Sequence, residues 1–200
     1  MKIAITGTIG SGKTTVSILL RRRGMRVFDA DQYTRICYYP ESESYQRIVD
    51  LFGNEILDES GEADRRKIAA IVFNDAQKRQ ALDKIIHPEV EQGLEKFFAG
   101  HAGDPLVFAE IPLLFECGWQ KKFDRTILVT CSQDTAIERL MKERDYTKEQ
   151  AMERISTQMS VEEKEALADE VIHNDGTLKQ LDHDTAVLLN RLKREAGHGA

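Results

Sequence analysis

Gly7-Thr8-Ile9-Gly10-Ser11-Gly12-Lys13-Thr14 has the spacing G-x-x-x-x-G-K-T. That pattern suits a polyphosphate. Glycines let the backbone wrap close to phosphate oxygens, and successive N–H groups then point inward as an anion nest at the positive end of a helix dipole. Lys13 would reach the β- and γ-phosphates, and the Thr14 hydroxyl would ligand Mg²⁺. An accidental glycine-rich turn is the competing explanation. A strand-like run, Lys2 to Thr6, precedes the motif and a helix-like run, Thr15 to Arg23, follows it, which is the context the chemistry needs. Asp29 and Asp31 come just past a second apolar run, at the rim where open parallel sheets bind ligands. One suits a general base and the other a magnesium or substrate contact, if extended backbone makes them face the same way. Either also makes a good helix N-cap. Glu110 closes a third apolar run, a position where an acid can stand near Mg²⁺. Arg139 and Arg144 fall on a charged helix, either as phosphate contacts in a closing lid or as surface groups of a solvated hairpin.

The elements that must position these groups follow from pattern. Strand-like runs recur at 25–28, 106–109, 126–130 and 170–174, each short and apolar. Arg21, Arg22 and Arg23 suit the end of the first helix, with Gly24 as the residue that stops it. No strand is expected between Asp31 and Gly103. Helices are expected instead over 42–52 and 64–86, with a turn at 58–61. His87-Pro88 is expected to break the second, Pro88 opening a new helix to about Phe98. His87 suits capping or packing as well as a ligand contact. Ser132 is a cap, and Thr147–Gln150, Ser160–Glu163 and Thr177–Gln180 read as capping boxes. The last opens a helix to about Glu195, and Gly197, His198, Gly199 and Ala200 are expected to fray. The turn Asn174-Asp175-Gly176 would border an adenine base, and Trp119, after the third-strand motif, suits core packing or a place near the substrate lobe.

Composition bounds the class. The chain has 200 residues, 41% hydrophobic and 31% charged, which suits one globular domain with a small inserted lobe. No run is long enough to span a bilayer, and the N-terminal apolar stretch is too short for a signal peptide. A net charge of −6 argues against broad nucleic-acid binding. Cys37, Cys117 and Cys131 have no metal-site spacing and read as thiols in a reducing compartment, so a cytoplasmic location is expected. No segment is set aside for a protein partner, and none is expected to be obligatory.

The whole series resembles the dephospho-coenzyme A kinase family over nearly its full length. The resemblance rests on the loop from Thr6 to Thr15, Asp29-Ala30-Asp31, Phe52-Gly53, Asp64-Arg65 with Val72-Phe73, and His87-Pro88. It continues through Ile111-Pro112-Leu113-Leu114-Phe115-Glu116, Arg139, Arg144-Asp145, Gln158, Ala168-Asp169 and Asn174-Asp175-Gly176. Thr8, Thr14, Glu41 and Glu110 stand where Gly, Ser, Gly and Asp are usual in the family.

The resemblance implies an α/β P-loop kinase fold: a five-stranded parallel sheet of order 2-3-1-4-5 flanked by helices. Residues 1–200 would form a single domain, with a helical substrate lobe over about 32–103 and a lid over about 139–165. The implied reaction is ATP-dependent phosphorylation of the ribose 3′-hydroxyl of dephospho-CoA, the last step of coenzyme A synthesis. ATP would lie on Thr8, Gly10, Ser11, Gly12, Lys13, Thr14, Thr15 and Asn174, with Mg²⁺ at Thr14 and Glu110. Asp31 would be the base and, with Arg65 and His87, bind substrate; Lys13, Arg139 and Arg144 would complete the catalytic set. Another small-metabolite or nucleoside monophosphate kinase fits the loop and lid equally well, and a nucleotide switch without transfer activity is the reading from a different class.

Overall fold

The five apolar runs form one five-stranded parallel sheet in the computed structural model, which describes residues 1–197. The strands are β1 (Lys2–Gly7), β2 (Arg26–Asp29), β3 (Val107–Glu110), β4 (Arg125–Thr130) and β5 (Glu170–His173). Their order is β2-β3-β1-β4-β5, the order implied by the family resemblance. The helices are α1 (Lys13–Arg22), α2 (Ala30–Ile36), α3 (Tyr45–Phe52), α4 (Arg65–Asn74), α5 (Ala76–Gly100), α6 (Gln133–Arg144), α7 (Lys148–Ser156), α8 (Val161–Leu167) and α9 (Leu178–Gly197). Gly197 therefore closes α9, and the fraying expected of His198, Gly199 and Ala200 lies outside the described residues. No described helix is long and apolar enough to cross a membrane.

Contacts divide the chain into two units, Met1–Phe28 with His101–Ala200, and Asp29–Gly100. In the first, alternation along the strands puts Ile3, Ile5, Phe108, Ile127, Val129 and Ile172 into one buried cluster. Val16, Leu19 and Leu20 of α1 and Leu181, Leu188, Leu189 and Leu192 of α9 complete it. The intervening Ala4, Ala109 and Leu128 are wholly buried too. Strands covered on both faces account for the near-continuous apolar runs. The register pairs Ile5 with Glu110 and Gly7 with Val129, so β1, β3 and β4 end at one rim.

Local signals set the ends of these elements. Gly24 has φ 81°, its N–H donates to the Arg21 carbonyl at 2.9 Å, and the Met25 N–H donates to Leu20 at 3.1 Å. These two bonds make the Schellman stop expected after the arginine run. The first two capping boxes are complete. At the third, Thr177 Oγ1 accepts from the Gln180 N–H at 3.3 Å, while the Gln180 side chain donates forward to Asp184 at 2.9 Å. Trp119 is half-buried rather than in the core, in a 3-10 turn with the Lys122 ammonium 6.0 Å from its ring centre.

The second unit is helical, as expected, but its helices divide differently. The run expected over 64–86 stops at Asn74, because Asp75 caps a new helix: its Oδ1 accepts from the Gln77 and Lys78 N–H groups at 3.0 and 2.9 Å. The break expected at His87-Pro88 does not occur, and α5 runs through Pro88 for 25 residues. A proline inside a helix costs about 3 kcal/mol. Leu82, Ile85 and Ile86 before it and Val90 and Leu94 after it are all buried on one helix. At roughly 1.5–3 kcal/mol for each such side chain, one continuous apolar stripe outweighs the proline.

Gly93 sits on α5 where a Cβ would stand 2.2 Å from Tyr33 Cζ, so the phenol ring lies directly on the helix backbone. In a free helix Gly→Ala stabilises by about 1 kcal/mol. Here overpacking dominates, and Gly93→Ala is expected to lose about 1–3 kcal/mol in urea unfolding. A gain in stability would show that the ring is not held against the helix.

Candidate functional site

The loop after β1 turns on two glycines in left-handed conformation, Gly10 at φ 77° and Gly12 at φ 88°. Gly12 needs its lack of side chain twice over, since a Cβ there would also stand 2.4 Å from Asn174 Nδ2. Gly7 is as confined, with a Cβ falling 2.5 Å from the Val129 carbonyl oxygen. The loop then feeds into α1, whose first residue is Lys13.

The carbonyl groups of this loop are held from behind. The Arg139 guanidinium donates to Gly10 O at 3.2 Å, to Ser11 O at 3.5 Å and to Asn174 O at 2.7 Å. Buried Asn174 donates from Nδ2 to Ser11 O at 2.8 Å, and its N–H donates to Thr130 O at 2.7 Å. The Ser11 N–H is used within the loop, donating to Thr8 O at 3.2 Å, and its hydroxyl is buried with no hydrogen-bond partner. Arg139 and Asn174, both expected to touch nucleotide, thus spend polar groups on the shape of the loop.

A cavity of about 410 Å³ opens in front. Thr8, Gly10, Gly12, Lys13, Thr14 and Thr15 line it from the loop and the start of α1, together with Arg139, Arg144, Asn174 and Gly176. Glu143, Leu140, Leu178 and Leu181 complete the lining and were not anticipated from sequence. Leu178 is 63% exposed, an apolar surface beside the polar cradle. Its only sequence signal is an apolar residue directly after the Asn-Asp-Gly-Thr turn.

Glu110 reaches the loop from β3. The Thr14 hydroxyl donates to Glu110 Oε1 at 2.6 Å. Glu110 is buried, and its second carboxylate oxygen has no hydrogen-bond partner. A buried carboxylate oxygen left so is costly unless something positive meets it. Thr14 and Glu110 are therefore a fitting oxygen pair for a hard divalent cation such as Mg²⁺.

Asp29, Asp31, Arg65 and His87 belong to the second unit. Extended backbone does not persist beyond Asp29. Asp29 caps α2, its Oδ1 accepting from the Gln32 N–H at 2.9 Å, and Asp31 is exposed in the first helical turn. The two carboxylates thus do not share a direction through strand geometry. The helix forms because the cap satisfies one of its unpaired N–H groups. Arg65 begins α4 after the Asp64 cap, its guanidinium carbon 5.5 Å from the Tyr38 ring centre. Burial pushes the Tyr38 hydroxyl up to about 12, with Arg65 acting in the opposite direction. His87 is half-buried within α5.

One thiol touches the loop: Cys131 Sγ donates to Gly10 O at 3.9 Å. None of the three cysteines is in a disulfide; burial, then Glu89, pushes the Cys37 thiol up to about 12. Burial also raises Cys131, against the lowering effect of Arg139. Asp175 is held below the usual carboxylate range chiefly by the Ser132 N–H at 2.8 Å, which ties the turn after β4 to the turn after β5. Asp169, just before β5, makes a comparable tie to β4, accepting from the N–H and hydroxyl of Thr126, both at 2.8 Å.

The family model for dephospho-CoA kinase matches residues 1–180. A dephospho-CoA kinase of Bacillus cereus is 43% identical over 178 residues, 88% of this chain and 89% of that protein. A solved protein of Thermus thermophilus superposes with TM-score 0.82 at 36% identity, covering 96% of this chain and 97% of its own. A dephospho-CoA kinase from Campylobacter jejuni superposes with TM-score 0.74 over 98% of this chain and 99% of its own; at 22% identity that likeness shows the fold alone.

Proposed function

Because this chain belongs to the dephospho-CoA kinase family, we propose that the cavity in front of Lys13 receives the phosphates of ATP and that Asp31 serves as the base. The reaction is phosphorylation of the ribose 3′-hydroxyl of dephospho-CoA, which yields coenzyme A and ADP and ends coenzyme A synthesis. The observation that carries the site assignment is the Thr14–Glu110 contact with its unpartnered carboxylate oxygen, directly beside the glycine loop.

Phosphoryl transfer passes through a loose transition state with charge spread over the transferred group, so positioning and electrostatics do most of the work. The loop N–H groups and the Lys13 ammonium hold the phosphate oxygens. Thr14 and Glu110 would hold Mg²⁺, which supplies charge neutralisation on the phosphates when bound. Arg139 keeps the loop in shape, and Arg144, exposed at the end of α6 where it lines the same cavity, meets developing charge. Asn174 and Gly176 border the base end of the nucleotide. Asp31 orients the ribose hydroxyl and takes its proton, with Arg65 and His87 on the substrate side. The region 139–165 acts as a lid and 32–103 as the substrate lobe. A cytoplasmic location suits three cysteines outside any disulfide.

The test is ADP release from Mg-ATP by the full chain, with dephospho-CoA beside a panel of nucleoside monophosphates. Stimulation by dephospho-CoA alone is the expected result. Stimulation by a nucleoside monophosphate, or by no acceptor, would overturn the substrate assignment.

A further inference from the structure

Ile9 is gripped from two directions by the chain after β4. Its side chain packs on Ile137, Leu140 and Ala151, together with Tyr146 and Ile155. Its N–H donates to Gln158 Oε1 at 3.0 Å. Gln158 lies in the short joint between α7 and α8, and that joint is itself tied down. The Met159 N–H donates to Glu116 Oε1 at 3.3 Å. Lys164 Nζ, on α8, lies 2.8 Å from the same oxygen, and the Lys164 side chain is wholly buried. A buried ammonium without a counter-charge is strongly destabilising, so Glu116 and Lys164 hold each other, and the joint with them.

The peptide group between Thr8 and Ile9 is consequently fixed at both ends. Its carbonyl accepts from the Ser11 N–H at 3.2 Å, and its N–H is taken by Gln158. If that plane rotated, the Thr8 carbonyl would leave the Ser11 N–H and swing to the side where Gln158 now accepts from Ile9, and the turn from Thr8 to Ser11 would open.

We propose that Gln158 is a positioning residue for the phosphate loop: it fixes the Thr8–Ile9 peptide plane, and the Glu116–Lys164 pair keeps Gln158 in place. The inference rests on the nucleotide role given to the cavity above. Gln158→Met keeps the volume and loses the amide acceptor; Gln158→Asn withdraws the acceptor by one methylene; Gln158→Glu keeps an acceptor oxygen.

Three readouts on the full chain test it: exchange of the Ile9 amide by NMR, ATP binding by calorimetry, and the KM for each substrate. Losing one neutral hydrogen bond corresponds to about fivefold in an equilibrium. Met and Asn variants are expected to weaken ATP binding by about that factor, raise the KM for ATP in step, and leave the KM for dephospho-CoA unchanged. Their Ile9 amide exchanges faster, and Gln158→Glu restores its protection. Unchanged Ile9 exchange in the Met or Asn variant, or a rise in both KM values alike, overturns the proposal. If the wild-type chain released no ADP with dephospho-CoA, the substrate assignment would fall, while amide exchange and ATP binding would still decide the role of Gln158.

Discussion

Lys13→Ala is expected to fold like the parent chain and to lose about 10²–10³ in kcat, the usual effect of removing one fixed donor aimed at developing charge. Lys13 is the first residue of α1 and is half-buried at the wall of the phosphate cavity rather than in the core formed by Val16, Leu19 and Leu20. Its removal therefore leaves the packing of α1 alone. A first-turn helical position also tolerates alanine without a propensity cost. On the role proposed above, the ammonium follows charge as it moves from the γ-phosphate to the leaving oxygen, which makes its effect larger on kcat than on ATP affinity. Coupled-assay kcat, with thermal unfolding as the control, checks this. Activity within tenfold of the parent, in a folded variant, would remove Lys13 from the catalytic set.

Asp31→Asn should separate binding from transfer. General-base catalysis contributes typically ~10²–10⁴ in rate, and the amide cannot take a proton. A loss of that order in kcat is expected, with ATP affinity unchanged, because Asp31 is assigned to the acceptor hydroxyl and not to the phosphates. Asp31 is exposed in the first turn of α2, and the cap of that helix is Asp29, so the substitution leaves the helix start intact. Retention of full kcat would mean that the hydroxyl loses its proton elsewhere. Loss of ATP binding would contradict the placement of Asp31 on the acceptor side.

Much of this was legible in the sequence because it is local. The glycine loop, the Schellman stop at Gly24 and the capping boxes at Thr147 and Ser160 each involve residues within a few positions of one another. Short apolar runs gave the strands, since strands buried on both faces leave no polar alternation to blur them. Glu110 was legible by its place at the end of such a run. The long helix through Pro88 was not, because the proline is a local signal and the stripe that overrides it is a property of the whole packed helix. Asp29 offered two local possibilities, strand continuation and capping, and the cap prevailed. The carbonyl contacts of Arg139 were beyond reach, since its guanidinium meets Gly10 across 129 residues of chain. Nothing in the sequence marks Lys164 on its short helix; only the fold reveals that it is fully buried.

The hold that Arg139 and Asn174 keep on the Gly10 and Ser11 carbonyls has a thermodynamic consequence. Fixing one residue's backbone costs roughly 1–2 kcal/mol of conformational entropy at 25 °C. For these loop residues that ordering is accomplished as the chain folds, with no ligand present. On the proposed role, a phosphate group arriving later meets a loop already ordered, so little further freedom is lost on association and more of the contact energy is retained as affinity.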